Sequence, residues 1–171
     1  MVLAQQLIFL AALLILGAIA VMDLRERRIP NVLVLIVVVI ALAHMALSRD
    51  VASIANDVGL AGLVLAGSLA LWASKWFGGG DVKLMFAASL LVGSRALPDF
   101  LVLTALLGGA LGMLTIGDMW LNKYYGWSTG LSHPLSNLKI LTPRAPTVPY
   151  GIAICLACVT SLLATSPALV T

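Results

Sequence analysis

The sequence predicts an all-α membrane protein, a bundle of about six transmembrane helices in a single membrane-embedded domain over residues 1–171. Hydrophobic residues make up 61% of the chain and charged residues only 10%, whereas a soluble domain carries roughly 25% charged residues. The mean hydropathy is +1.09. The apolar residues also fall into stretches close to the ~20 residues that cross a bilayer as a helix. No room remains for a separate soluble domain.

Polar or glycine-rich clusters separate the apolar stretches from one another. A charged cluster follows the first stretch, and Pro30 within it predicts the start of the second helix. The glycine run from Gly78 to Gly80 predicts a turn ahead of the fourth. On these boundaries the apolar segments cover residues 3–22, 32–47, 54–74, 84–97, 100–118 and 148–168.

The fourth segment and the last connection depart from this regular pattern. The fourth is short for a span, so we expect it to extend through Ser94 and Arg95, with the arginine reaching the far membrane surface. The connection over 119–147 is the one long loop in the predicted layout. Pro134 predicts a short helix within it, over 132–141.

The basic residues predict the topology. With the N-terminus outside, the inner loops hold eight lysines and arginines and the outer loops two, a bias typical of cytoplasmic loops. Both termini are then non-cytoplasmic. The pI of 9.1 follows from these juxtamembrane residues, and we expect no nucleic-acid partner. The inner residues are Arg25, Arg27, Arg28, Lys75, Lys83, Lys123, Lys139 and Arg144, and the outer ones are Arg49 and Arg95.

Two aspartates fall at the same membrane level in this topology. Asp23 ends the first apolar stretch, and Asp81 closes the run Gly78-Gly79-Gly80-Asp81 before the fourth. Alone, Asp23 is typical of a helix that has reached water, and Asp81 of a helix N-cap. If the first and fourth helices pack together, the two carboxylates share one water molecule and one of them retains a proton. That pair provides the general base and general acid that peptide hydrolysis needs.

Other polar residues are weaker candidates. Lys83 either influences the pKa of Asp81 and positions substrate, or is an interfacial lysine. Asp118 either forms a third polar wall of the site or merely ends the fifth helix. His44 and His133 are expected to be packed or interfacial. The chain has no pair of histidines one turn apart with a glutamate between them, so we expect no metal. Cys155 and Cys158 lie in the last apolar segment, where apolar packing is expected.

The order of these motifs resembles the type IV prepilin peptidases, which are GxGD-type intramembrane aspartyl proteases. The resemblance rests on Asp23 followed by residues 28–31 (Arg-Ile-Pro-Asn), on Gly78-x-Gly80-Asp81-x-Lys83-Leu84, and on Pro149-Tyr150-Gly151 before the last segment. It implies that Asp23 and Asp81 are the catalytic pair, with Gly78, Gly79 and Gly80 as the active-site loop. Arg28 and Asn31 join Lys83 and Asp118 as candidate positioning residues.

The resemblance also implies substrate and location. The expected activity is removal of the leader peptide from prepilins and pseudopilins, whose basic leader precedes an apolar helix, at the cytoplasmic face of the bacterial inner membrane. Membrane lipid is the other expected partner, and no cofactor is expected. The chain begins in an apolar segment and lacks the N-terminal paired Cys-x-x-Cys motifs of bifunctional members. It is therefore similar to the compact, peptidase-only CpaA/TadV-like members that serve tight-adherence (Flp) pili, and no methyltransferase activity is expected.

Three other interpretations compete with this one. A small ion- or proton-coupled transporter would place its carboxylates near the middle of the membrane, often at broken helices. A non-catalytic membrane component of a secretion system would tolerate Asn in place of either aspartate. A presenilin-like protease would carry its paired aspartates deeper and on adjacent late helices, unlike the first-and-fourth arrangement expected here.

Overall fold

The computed structural model describes residues 2–26, 28–48, 50–125 and 150–165. Within those residues the regular structure is entirely helical, which confirms the predicted all-α class. Six helices follow one another through short connections wherever the connection is described. They are α1 (Val2–Glu26), α2 (Asn31–Ser48), α3 (Val51–Ala73), α4 (Gly79–Val92), α5 (Leu97–Tyr125) and α6 (Tyr150–Thr165).

The short helix α4 forms the centre of the bundle. It packs against α2, α3 and α6, and to a smaller extent against α5. Nearly every residue from Val82 to Val92 is buried, and Ala87, Ala88 and Ser89 among them are small enough to allow close helix contact. A helix that is apolar on all sides belongs in an interior, and this explains why so short an apolar segment occupies the core.

The outer helices present one face to the core and one outward. In α1 the buried residues Ala12, Leu16 and Ile19 are spaced by three and four positions, as one helix face requires. The opposite face of α1 exposes large apolar side chains, as a helix in contact with lipid would. In the described part of the chain, three helical stretches are long and apolar enough to cross a membrane: Leu3–Glu26, Val51–Ala73 and Leu97–Thr115. The total of six crossings and the side of the termini remain predictions.

The predicted end of the fourth segment is wrong. Helix α4 ends at Val92, and does not continue through Ser94 and Arg95. Gly93 has φ 74° and ψ 172°, a combination that is essentially restricted to glycine and breaks the helix. The chain is held in its new direction by Asp57 of α3, whose Oδ1 accepts a hydrogen bond from the backbone N–H of Ser94 at 2.6 Å.

The predicted boundary after the fifth segment is also wrong. Helix α5 continues to Tyr125, so residues 119–125 of the predicted loop are helical. The remainder of that loop, including the predicted short helix over 132–141 and His133, lies outside the described residues. Pro149 of the Pro-Tyr-Gly motif lies outside them too, and α6 begins at the following residue, Tyr150.

Candidate active site

Asp23 lies on the inward face of α1, one turn beyond Ile19. Its position continues the spacing of Ala12, Leu16 and Ile19, and only 6% of its surface is exposed. The interpretation of Asp23 as a helix end that has reached water is therefore wrong. A carboxylate is seldom so buried without a specific role or a partner. The helical periodicity of α1 was a signal in the sequence from which the inward position of Asp23 could have been predicted.

Asp81 lies in the first turn of α4, ahead of the apolar residues of that helix. The N-cap position is taken by Gly78, whose backbone is extended, and not by Asp81 as one interpretation required. From the third helical position the carboxylate turns back over the glycine: a Cβ on Gly78 would lie 2.7 Å from Asp81 Oδ2. Only glycine therefore allows this return of the side chain towards the helix start.

The structure brings Asp23 and Asp81 to the same end of the bundle. Helices α2 and α6 each pack against both α1 and α4. The two helices that carry the aspartates are therefore joined mainly through these neighbours, and hardly by direct contact with each other. Burial, and secondly the negative charge of Asp23, raise the pKa of Asp81 to about 7, while the backbone N–H of Gly78 opposes the shift. The two carboxylates are therefore close enough to interact electrostatically.

Glycine 151, at the start of α6, determines how closely that helix approaches α1. A Cβ at this position would lie 2.6 Å from Asp23 Oδ2 and 2.8 Å from its Cγ. Any side chain here would therefore displace the carboxylate. The sequence motif contains Gly151, but its contact with Asp23 was not predicted, because it depends on how two helices far apart in the chain pack.

The turn before α4 is held by aromatic and aliphatic contacts. Phe77 packs against Tyr150 of α6 with ring centroids 5.5 Å apart. A Cβ on Gly80 would lie 3.4 Å from the Ile29 side chain, and one on Gly79 would lie 3.4 Å from Trp72 Nε1. Gly79 and Gly80 form the first turn of α4, and the α1–α2 connection and the end of α3 lie within ordinary contact distance of it.

The candidate positioning residues differ in their placement. Lys83 Nζ donates a hydrogen bond to Asn31 Oδ1 at 3.0 Å, which joins the starts of α4 and α2 beside the site. Arg28 is exposed at the same end of the bundle. Asp118 lies within α5 and does not end it, and its side chain is outside the described part of the structure.

Other chemistry-bearing side chains lie elsewhere or in the apolar interior. Cys155 and Cys158 are free and buried in α6, as expected for packing residues. A polar cavity of about 440 Å³, lined by His44, Asp57 and Arg95 among others, lies at the opposite end of the bundle. In the described part of the chain, no three His, Cys, Asp or Glu side chains come together as metal ligands would.

This arrangement is suited to acid–base chemistry on a substrate at one end of a membrane bundle. Two interacting carboxylates of which one retains its proton supply a base and an acid in the same place. A family model described as the type IV leader peptidase family matches residues 8–113, more than half of the chain. Comparison with curated proteins and with solved structures gives no match.

Proposed function

The chain belongs to the type IV leader peptidase family, a family of membrane-embedded proteases, and from that premise we propose that it is an aspartyl endopeptidase whose catalytic pair is Asp23 and Asp81. The observation that carries this proposal is the burial of Asp23 beside a second carboxylate whose pKa it raises. The substrates proposed are type IV prepilins and pseudopilins of the tight-adherence class, cleaved at the cytoplasmic face of the bacterial inner membrane.

The proposed reaction needs one proton between the two carboxylates. The ionised carboxylate accepts a proton from a water molecule as the oxygen attacks the peptide carbonyl carbon, and the protonated one donates to the carbonyl oxygen. Collapse of the tetrahedral diol breaks the C–N bond, and the departing amine takes the proton that the base received. One hydroxyl of the diol returns its proton to the carboxylate that acted as the acid, which restores the pair. Asp81 is suited to holding the shared proton, because its pKa is raised by burial and by Asp23.

A transporter is supported less well. Both carboxylates lie at one end of the bundle, Asp81 in the first turn of α4 and Asp23 in the last turns of α1. Among the described helices, none of the breaks that transporters place at mid-membrane lies beside either residue. The location favours chemistry at a membrane surface.

The test is cleavage of a co-expressed tight-adherence prepilin in membranes, at matched amounts of inserted enzyme. Asp23→Asn and Asp81→Asn should each abolish processing, because each removes one member of the acid–base pair. Asp57→Asn, at a buried aspartate on the opposite end of the bundle, and Asp99→Asn, at an exposed one, should retain it. Full processing by either Asp23→Asn or Asp81→Asn would exclude the proposed mechanism.

A further inference from the structure

A lateral groove of about 410 Å³ opens between α3 and α5. Both helices pack against α4, which forms its floor through Met85. The walls are aliphatic side chains of α3, such as Leu63 and Leu71, and of α5, such as Leu101. Among the described residues that line the groove, Ser68 is the one with a polar side chain, and its hydroxyl donates a hydrogen bond to the Leu65 carbonyl of its own helix at 3.0 Å. The described lining of the groove therefore offers apolar contact and no free side-chain donor.

One end of the groove reaches the candidate active site. Phe77 lines this end, and its ring packs against Tyr150. The next residue, Gly78, lies directly beneath the Asp81 carboxylate. A chain lying in the groove would therefore pass Phe77, the residue next to Gly78, over which the Asp81 carboxylate lies.

The groove has the dimensions of a docking site for a helix. On α3 it extends from Leu60 to Leu71, which at 1.5 Å per residue is about 16 Å, or roughly three helical turns. Midway along this wall, no heavy atom of the described residues lies within 4 Å of the position that a Cβ on Gly67 would take. Small residues at such positions let a second helix approach closely in a membrane.

We propose that this groove binds the apolar helix of the substrate that follows the cleavage site, and so directs the scissile bond to Asp23 and Asp81. The inference rests on the proposed function, because it assigns a place to the substrate of that same site. The cavity at the other end of the bundle does not suit an apolar helix, since His44, Asp57 and Arg95 line it. The groove is apolar, and its lining includes Phe77, which directly precedes Gly78 beside the Asp81 carboxylate.

The first test fills the groove. Gly67→Leu should lower kcat/KM at least tenfold for a tight-adherence prepilin reconstituted with the enzyme in liposomes, because the new side chain occupies the place of the substrate helix. Gly62→Leu is the matched control: it lies on the same helix, is exposed and has equally open space, but does not line the groove. Processing by Gly67→Leu at the rate of the Gly62→Leu control would overturn the assignment.

The second test does not depend on catalysis. A photocrosslinking residue at position 63, in an Asp81→Asn background, should crosslink to the apolar helix of the prepilin. The same residue at position 106 of α5 should not, although Leu63 and Leu106 are similarly exposed, at 68% and 65%. Equal crosslinking at both positions would refute the groove. Wild-type enzyme that fails to cut the prepilin would refute the proposed function, whereas normal cutting by Gly67→Leu would refute the groove alone.

Discussion

Asp23 and Asp81 reach the same place by different local means. Asp23 faces inward because it follows Ile19 by one turn on the buried face of α1. Asp81 reaches the site because the N-cap residue Gly78 has no side chain, so the Asp81 carboxylate can fold back over it. The outcome is one deeply buried carboxylate, and a second that is half-buried and feels its charge. This asymmetry bears directly on the pH dependence of the proposed reaction.

We predict that proteolytic activity falls as the pH rises through about 7. Burial and the Asp23 charge raise the pKa of Asp81 to that value, so the proton that the general acid needs is present below it and lost above it. The measurement is the initial rate of prepilin cleavage in liposomes from about pH 5 to about pH 9, a range centred on the raised pKa. Activity that is constant across the upper half of this range would contradict the assignment of the proton.

The cause of the shift can be tested without activity. In Asp23→Asn the pKa of Asp81 should fall, because the neighbouring charge is gone, yet remain above that of a free aspartate, because burial is the larger cause. Infrared titration of the isotope-labelled Asp81 carboxyl gives this pKa directly. An unchanged value in Asp23→Asn would show that the two carboxylates do not interact.

Helix α6 contacts both the residues around Asp23 and the turn before Asp81. It packs against α1, α4 and α5, and its first residues contribute Tyr150 against Phe77 and Gly151 against Asp23. A second contact of the same kind occurs where a Cβ on Gly108 of α5 would lie 2.9 Å from the Tyr150 ring. The start of α6 is thus held from two sides, and its position decides where the Asp23 carboxylate can lie.

We predict that Gly151→Ala reduces cleavage by about tenfold to a hundredfold, because its methyl group displaces the Asp23 carboxylate of the proposed catalytic pair and small misplacements are costly in catalysis. The Cβ of an alanine here would lie 2.6 Å from Asp23 Oδ2, a distance that cannot be accommodated without movement. The measurement is kcat for prepilin cleavage at equal amounts of folded enzyme, with thermal unfolding in detergent to follow stability.

Gly109→Ala is the control for that substitution. It also adds one methyl group to a helical glycine, but among the residues that the structure describes no heavy atom lies within 4 Å of the new Cβ, and Gly109 is exposed on α5. Its kcat should stay within about twofold of the wild type, as for a surface change that disturbs no special feature. Equal activity of Gly151→Ala and Gly109→Ala would mean that the approach of α6 to α1 does not position the carboxylate.

At the scale of the molecule, the helical composition was predictable and the packing was not. Apolar segment length and glycine or proline boundaries were enough to locate the six described helices. The central position of α4 was not evident, because a short apolar segment predicts burial without naming the neighbours that bury it. The break at Gly93 depends on a positive φ and on Asp57 of another helix, which no local pattern reveals.

The same distinction applies to the candidate site. Motif order was enough to select Asp23 and Asp81, and the hydrogen bond between Lys83 and Asn31 joins two other residues that the motifs had selected. The contact of Gly151 with Asp23 and the groove between α3 and α5 arise from helices that are distant in sequence. They are properties of the assembled bundle, and therefore emerge only from the structure.

The orientation of the bundle in the membrane follows from charge, and we predict that the carboxylate end faces the cytoplasm. The exposed basic residues Arg25, Arg28, Lys75 and Lys83 lie at this end, as the positive-inside rule requires. Single cysteines at exposed positions 26 and 74 should resist a membrane-impermeant maleimide added to intact cells, whereas cysteines at positions 50 and 99 should react. The native Cys155 and Cys158 are buried and would be replaced by alanine first.

A C-terminal epitope tag completes this measurement, since six crossings place both termini on the outer side. The tag should be accessible to antibody on spheroplasts before permeabilisation. Labelling at positions 26 and 74 in place of 50 and 99 would put Asp23 and Asp81 outside the cell, away from newly made prepilin leaders. With this inverted orientation the two carboxylates could still hydrolyse a peptide bond. The removal of prepilin leaders at the cytoplasmic face would be excluded.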